Sequence, residues 1–420
     1  MLDAPPREPE WRSWLYVALW SLVIFSTIPF ARALIDTVDE RIGLQVFLYV
    51  TVSLVLVGGA VAFANLRKRQ LPATAYLWLF AVSAAFIAYA YYLRDIPEEA
   101  IHVAEYGFLG FLVYRALVHR IHDYSIYFVA TLIVGIVGIM DEYIQWVVPS
   151  RVFDLRDIRT NFIAGALAQV AIAKGLRPTV VASPPSRTSL RRLCRLLAVT
   201  LVVLGLSFVN TPERVGWYAT RIPFMSFLLD SKTTMVDYGY RYLDPEIGIF
   251  QSRFSREQLE QLDRQRGVEV APILDRYIGG EGYDAFQNIY SVPRDAYVHE
   301  AGVHLFRRNR YLERARTEED KRAGHSTVAL RENQILEKYF PTTMQHSKHR
   351  WAPEIRTYVD GYALKDEEYT SYVSWGLLTQ FGERQALLAF AAAVVAFLSL
   401  GSYLGRGPHP SVRSSEGHRS

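Results

Sequence analysis

The chain has 420 residues, of which 50% are hydrophobic and 21% are charged, with a formal net charge of +4. The small net charge, and the lack of a basic patch interleaved with aromatic residues, argue against nucleic-acid binding. A single cysteine, Cys194, excludes an intramolecular disulfide and any CxxC metal or redox motif. Because the apolar residues occur in long runs, we expect a polytopic membrane protein with a water-soluble part.

Eight segments are predicted to span the membrane, since a spanning helix needs about 20 mostly apolar residues. In chain order they are 14–34, 44–65, 75–93, 100–118, 125–148, 161–176, 193–210 and 386–405. Ala31-Arg32-Ala33 imitates a signal-peptidase site near the end of the first segment. The arginine inside that site, and the immediate return of further spans, favour a retained first helix.

The lysines and arginines of the loops predict the orientation of the chain. Loop 66–74 and segment 174–195 are basic and contain no acidic residue, whereas loops 35–43 and 94–99 are mainly acidic. This alternation places both termini in the cytoplasm, and the basic C-terminal tail agrees with it.

The predicted fold class is mainly α: a polytopic transmembrane helix bundle with one α-rich or α+β extracytoplasmic domain inserted before the last span. The predicted parts are a six-span membrane domain 1–178, a Pro- and Ser-rich cytoplasmic linker 179–192, a span 193–210, the extracytoplasmic domain 211–384, a last span 385–405 and a cytoplasmic tail 406–420.

Polar side chains recur where three of the predicted helices meet the extracytoplasmic surface. In chain order they are His102, Glu105, Tyr106, Asp141, Glu142, Gln145, Arg151, Asp157 and Asn161. Glu105 and Tyr106 follow His102 by three and four residues, so the three side chains share one helix face. A charged side chain within an apolar helix costs on the order of 3 kcal/mol, so these groups need a partner, a metal ion or a water-filled pocket.

Several interpretations of these positions stay open. A carboxylate beside a histidine in a partly dry pocket is typical of general acid–base catalysis. The same acids could equally hold a hard divalent cation, and Asp141 is the candidate ligand. In the alternative, Asp157 and the neighbouring charges form solvated ion pairs or contact lipid headgroups, and Asn161 is only a helix N-cap.

Within 211–384 the sequence predicts a small sheet and several helices. Segment 232–254 is typical of two short strands around Asp-Pro, and Ser255 with Gln258 forms a capping box at a helix start. Helices are predicted at 256–266, 269–278, 296–316, 328–340 and 367–380.

Two further patterns in this region bear on chemistry. His299 and His304 are five residues apart, about 140° round a helix, so they do not match the HExxH zinc motif. A basic run could lie along lipid phosphates or bind an anionic glycan, although a solvated charged face is the favoured interpretation. Its members are Arg307, Arg308, Arg310, Arg314 and Arg316.

Part of the chain resembles a known family. HVAEYGFLGFLVYRAL (102–117), DEYIQWVVPSR (141–151), Asp157 and NFIAGA (161–166) are similar to the VanZ-like family of bacterial integral membrane proteins, over residues 75–175. The resemblance implies a multi-pass protein of the bacterial inner (cytoplasmic) membrane and a link to glycopeptide resistance. Through a wider similarity to base-exchange phosphatidylserine synthases, it also implies chemistry on lipid headgroups or lipid-linked cell-wall precursors. Residues 190–420 have no counterpart in the basic form of the family.

The first functional hypothesis is a membrane enzyme that acts at the outer leaflet on a phosphate-bearing lipid or a lipid-linked saccharide, by transfer or hydrolysis. Its candidate catalytic residues are His102, Glu105, Glu142 and Asp157, and its candidate substrate-binding residues are Tyr106, Gln145, Arg151 and Asn161. The cofactor is unassigned, with a divalent cation at Asp141 as the candidate. The alternative is a non-catalytic scaffold or assembly subunit whose outer domain binds an envelope protein or glycan. A transporter is less favoured, because the sequence has no repeated pair of broken helices.

Overall fold

The structure, a computed structural model, describes residues 6–149, 151–278 and 282–405, and the predicted tail 406–420 lies outside the described residues. The chain is mainly helical, with 74% helix and 4% strand, as the sequence predicts. It divides into two compact units. We call them unit 1, Met1–Gly205 with Ala389–Ser420, and unit 2, Leu206–Leu388.

Unit 1 is built from long, mostly apolar helices. In chain order they are α1 (Glu10–Arg41), α2 (Gln45–Lys68), α3 (Ala73–Tyr92), α4 (Ala100–Leu117), α5 (Ser125–Trp146), α6 (Leu155–Val170) and α7 (Arg187–Ser207). A 3-10 turn at Pro97–Glu99 leads into α4, and a π-helical turn at Ala171–Leu176 continues α6.

Unit 2 combines shorter helices with one β-hairpin. Its elements are α8 (Pro212–Ala219), β1 (Tyr240–Asp244), β2 (Gly248–Ser252), α9 (Arg256–Tyr277), α10 (Gly282–Ile289), α11 (Val292–Thr317), α12 (Arg322–Tyr339), α13 (Pro341–His346) and α14 (Pro353–Tyr362). Short 3-10 turns lie at Pro223–Asp230 and Glu319–Lys321. The last helix, α15 (Glu383–Gly405), begins in unit 2 and returns the chain to unit 1.

Among the described residues, five helices are long and apolar enough to cross a membrane: α1, α2, α3, α5 and α15. A sixth span is counted if α7 and α8, which are separated by a short break, form one. Two of the predicted spans, α4 and α6, do not meet this criterion. The reason is that α4 contains His102, Glu105 and Arg115, and α6 has only 16 residues.

Two predicted helix starts in unit 1 are wrong. Helix α6 begins at Leu155 instead of Asn161, because Asp154 is its N-cap and accepts a hydrogen bond from the backbone N–H of Arg156 at 2.7 Å. Asn161 is therefore not a cap but a fully buried residue inside α6. Helix α7 begins at Arg187, inside the predicted linker 179–192, so the arginines at its start belong to its first turns.

Helix α4 occupies the centre of unit 1, where it packs against α1, α5 and α6. Small residues allow the close approach: a Cβ atom at Gly110 would lie 3.1 Å from the Cβ of Ala168, and one at Gly165 would lie 2.8 Å from a methyl group of Val134. Gln169 on α6 donates a hydrogen bond to the carbonyl of Gly110 at 2.9 Å. The polar residues of α4 and α6 are therefore largely enclosed by other helices.

In unit 2 the predicted hairpin and capping box are confirmed, and the helix predictions need two corrections. β1 and β2 pair antiparallel from Tyr240 opposite Ser252 to Asp244 opposite Gly248, and Ser255 caps α9 through the predicted box. The predicted helices 256–266 and 269–278 are one helix, α9, and no helix forms at 367–380.

Segment 367–380 contains a turn at 373–376, and on both sides of it backbone groups bond to residues in or near the hairpin. The N–H of Ile249 donates to the carbonyl of Tyr369 at 2.8 Å, and the N–H of Ser371 donates to the carbonyl of Ile249 at 2.8 Å. Further along, the N–H of Leu378 donates to the carbonyl of Asp237 at 2.8 Å. These bonds link residues more than a hundred positions apart, which local sequence does not encode.

Glu332 on α12 is fully buried and joins three parts of unit 2. Its carboxylate accepts hydrogen bonds from Arg307 Nε at 3.0 Å, Tyr369 Oη at 2.6 Å and Ser371 Oγ at 2.7 Å, and His304 Nδ1 lies 2.6 Å from it. Burial by itself raises the pKa of Glu332, but His304 and these hydrogen bonds outweigh it and hold the pKa below its usual value.

His299 and His304 have different partners on α11. His299 Nδ1 lies 2.8 Å from the carbonyl oxygen of Tyr290, whereas His304 Nδ1 contacts Glu332. Burial lowers the pKa of His299 to about 4.

The interpretation of the arginine run as one solvated face is wrong for Arg308, which is fully buried.

Candidate functional site

The polar residues predicted from the sequence come together at one end of three packed helices, where α4 begins, α5 ends and α6 begins. The loop from α5 to α6 is fastened to this end, because the backbone N–H of Asp154 donates to Glu142 Oε2 at 2.8 Å. Glu142 is fully buried. This hydrogen bond connects two residues that are 12 positions apart in the sequence.

Gln145 connects the acidic end of α5 to Arg151. Its Nε2 donates to Glu142 Oε1 at 2.8 Å and to Asp141 Oδ2 at 3.4 Å. Its Oε1 accepts from Arg151 Nε at 3.1 Å and Nη2 at 2.5 Å. Among the described residues Arg151 makes no ion pair, so its guanidinium is oriented by a neutral amide and keeps its charge for an anion.

His102 and Glu105 form the accessible pair of the site. His102 Nδ1 lies 3.4 Å from Glu105 Oε2, and their side chains are 17% and 25% exposed. Because Nδ1 faces the carboxylate, Nε2 is the ring nitrogen left for proton transfer. Tyr106, on the same face of α4, has its ring centroid 6.1 Å from that of His102 and its hydroxyl beside Asp141.

Three carboxylates lie within electrostatic range of His102. The charge of its imidazole acts on Asp141, Asp157 and Glu142. Asp157 also interacts with Arg151, so it lies where the influence of both cationic groups overlaps. The groups that the sequence predicts on three separate helices therefore form one electrostatic cluster.

Several buried polar atoms of this cluster have no hydrogen-bond partner among the residues that the structure describes. They include Oδ1 of Asp141, Oδ1 of Asp157 and both amide atoms of Asn161. Asn161 is held against α5, since a Cβ atom at Gly138 would lie 2.8 Å from the Cβ of Asn161. Buried polar groups are nearly always paired in proteins, so a group of unpaired ones points to a site that receives a polar ligand or water.

At the edge of the cluster, charged side chains near Asp157 form ion pairs, as one interpretation of the sequence predicts. Arg156 Nη2 lies 2.6 Å from Asp154 and 3.7 Å from Glu99. Burial and the nearby Asp157 raise the pKa of Glu99, and Arg156 opposes this rise.

An apolar pocket of about 660 Å³ adjoins the polar cluster. Glu105 lines it together with aromatic side chains that include Trp20, Phe86 and Phe108, and Trp20 Nε1 donates to the carbonyl of Glu105 at 3.1 Å. Sequence reasoning missed this pocket, because apolar residues that line a cavity have the same composition as those that face lipid.

No group of three or more His, Cys, Asp or Glu side chains in the described part of the chain is arranged to hold a metal ion. The hypothesis of a divalent cation at Asp141 therefore finds no ligand set there. We assign only roles that the side chains can perform themselves.

The comparisons with known proteins give no match: no protein-family model, no curated protein sequence and no solved structure is similar to this chain. The resemblance to the VanZ-like family consequently stays a prediction from the motifs.

Proposed function

We propose that the protein is a VanZ-like membrane enzyme that transfers or hydrolyses the headgroup of a phosphate-bearing lipid or lipid-linked saccharide. The observation that supports this most is the position of the His102–Glu105 pair. The pair is partly accessible and belongs to a cluster of buried polar groups, and its Glu105 lines an apolar pocket of about 660 Å³. An amphiphile needs both environments next to each other.

In the proposed reaction His102 Nε2 takes a proton from an attacking hydroxyl, either water or an alcohol. The hydroxyl oxygen forms a new bond to phosphorus, and the bond from phosphorus to the leaving oxygen breaks. His102 then returns the proton to that leaving oxygen. Glu105 orients the imidazole and stabilises its charged form, and Arg151 neutralises the phosphate.

The carboxylates have different roles in this scheme. Both oxygens of Glu142 already accept hydrogen bonds, from Gln145 and from the backbone of Asp154, so we assign it to positioning rather than to proton transfer. Asp141 and Asp157 each retain an oxygen that has no hydrogen-bond partner in the described part of the chain. These two, with Asn161, are the groups we assign to the polar part of the substrate.

The proposal includes the predicted topology of eight spans, both termini in the cytoplasm and unit 2 outside, in the bacterial inner membrane. The central position of α4 between α1, α5 and α6 supports the inclusion of short, polar helices among the spans. Polar side chains at membrane depth are tolerated where they face the interior of a helix bundle.

The test uses the full-length protein in vesicles of phospholipids with labelled headgroups, and measures headgroup release and exchange by mass spectrometry. We expect His102→Gln to lower the rate by about 10²–10⁴-fold with normal membrane insertion. His122→Gln is the matched control, because it makes the same change at an exposed loop position outside the cluster. An unchanged rate in His102→Gln would refute the assignment.

The alternative is a non-catalytic scaffold or assembly subunit. It is favoured by one observation: unit 2 is compact, with a buried core of its own that includes Phe250, Leu274 and Leu305. A scaffold predicts that an envelope protein or glycan copurifies with the full chain and is retained by His102→Gln. An enzyme predicts that lipid copurifies with the full chain and that its activity does not require an envelope protein or glycan.

A further inference from the structure

A second pocket, of about 270 Å³, lies in unit 2 against one face of α11. Arg307, Arg310 and Arg314 line it together with Tyr311 and Tyr372. The three arginines are three and four residues apart, so successive turns of the helix direct their guanidinium groups to the same side. Like charges at this spacing repel one another, and an isolated helix gains nothing from them.

The acidic residues of unit 2 compensate this charge only in part. Arg307 Nε lies 3.0 Å from the buried carboxylate of Glu332, and Arg314 Nε lies 3.8 Å from Glu318, whose side chain is 41% exposed. Arg310 has no ion pair or hydrogen bond with any residue that the structure describes. At least one guanidinium is therefore free to bind a ligand, and guanidinium groups bind phosphate and carboxylate with two parallel hydrogen bonds.

Aromatic rings supply the other wall of the pocket. The guanidinium of Arg307 lies 4.8 Å from the centre of the Tyr311 ring and 5.5 Å from that of Tyr372, within the range of cation–π contacts. Tyr372 is 66% exposed and Trp375 beside it is 50% exposed, with their ring centroids 6.0 Å apart. Exposed aromatic pairs of this kind present a flat apolar face with a polar edge, as binding surfaces do.

We propose that this pocket binds an anionic monosaccharide, with its phosphate or carboxylate on Arg310 and Arg314 and its ring against Tyr372. The volume of about 270 Å³ lies just below the range of about 300–1,000 Å³ that is typical of pockets for drug-sized ligands. It therefore suits a ligand with a single ring. The binding site lies entirely in unit 2 and does not depend on the reaction proposed for unit 1.

The experiment is calorimetric titration of the full-length protein in neutral detergent with glucose 1-phosphate, glucuronate, glucose and inorganic phosphate. We expect the two anionic sugars to bind more tightly than glucose or inorganic phosphate, with affinities that fall as salt is added. Arg310→Gln should weaken their binding at least about tenfold. Arg316→Gln should not, since it removes the same charge from the same helix outside the pocket.

Tyr372→Ala separates the two parts of the ligand, because it should weaken binding of the sugars and leave inorganic phosphate unchanged. The proposal is overturned if neither anionic sugar binds at millimolar concentration, or if Arg310→Gln and Arg316→Gln behave alike. Vesicles of phosphatidylglycerol serve as a further arm. Binding to them that is lost in Arg310→Gln, without any sugar binding, would replace the monosaccharide by a membrane surface and refute the proposal.

Discussion

Replacing Glu332 by alanine should destabilise unit 2 more than any change at its surface. The substitution removes the carboxylate that accepts from Arg307, Tyr369 and Ser371 and contacts His304. Breaking a buried ion pair from one side costs about 3–5 kcal/mol, because the remaining charge stays buried without compensation. For a unit of about 150–250 residues this lowers the unfolding midpoint by about 6–20 °C.

The measurement is thermal unfolding of the full-length protein, followed by hydrogen–deuterium exchange of α11 and α12 so that unit 2 is observed specifically. Glu332→Gln should cost less, about 1.5–3 kcal/mol, because its amide oxygen can still accept hydrogen bonds. The matched control is Glu337→Ala on the same helix, whose ion pair with half-exposed Arg356 lies near the surface and contributes below about 1 kcal/mol. Equal midpoints for Glu332→Ala and Glu337→Ala would refute the reasoning.

The contribution of Glu332 should also depend on pH. Its pKa in the folded protein lies below that of the unfolded chain, so the folded state favours the ionised form. The stabilisation is therefore fully present above the ordinary pKa of a glutamate, about 4.3, and is lost as the pH falls through the lower, folded pKa. The difference in stability between the wild type and Glu332→Ala should shrink in the same range.

Three further predictions concern stability. Gly138→Ala would place a methyl group 2.8 Å from the Cβ of Asn161. It should cost about 1–3 kcal/mol in chemical unfolding. A cost no larger than that of Gly58→Ala, where a new methyl group would have no described atom within 4 Å, would contradict the packing argument. Asp123 accepts hydrogen bonds from backbone and serine groups near the starts of α5 and α7, which together outweigh burial and lower its pKa. Asp123→Ala should lower stability at neutral pH by about 0.5–2 kcal/mol. In acid the loss should be smaller, because the wild-type carboxylate is then protonated and accepts these hydrogen bonds less well. An equal loss at both pH values would count against this. Burial lowers the pKa of His299 from 6.5 to about 4, so the unfolded chain binds the proton first and unit 2 should lose about 3 kcal/mol between these pH values. His299→Gln should remove that pH dependence. Unfolding midpoints measured across this pH range would refute the prediction if the variant still showed the same loss.

The sequence predicts much of the candidate site because its residues lie at regular spacings within helices. His102, Glu105 and Tyr106 share a face by helix geometry alone, and the acidic end of α5 follows directly from the order Asp141, Glu142. It does not predict which carboxylates are free. That depends on the backbone N–H of Asp154 reaching Glu142, and a loop conformation sets this contact.

The arginines of α11 show the same limit. From the sequence Arg308 and Arg310 look equivalent, yet Arg308 is buried against Asn333, to which it donates at 3.0 Å, and Arg310 is exposed in the second pocket. Burial lowers the pKa of Arg308 to about 9. The two residues are two positions apart, so the helix turns them to different sides, and only the packing of α12 decides which side is the core.

Apolar runs, loop charges and capping residues by themselves determined that the chain is mainly helical, carries membrane-spanning candidates and forms a hairpin before α9. These features depend on near neighbours in the chain, whose interactions are set by helix and strand periodicity. The two pockets, the buried cluster that contains Asp141 and Asp157, and the buried network of Glu332 were decided only by the tertiary structure. They require contacts between residues far apart in sequence, which exist only once the helices have packed.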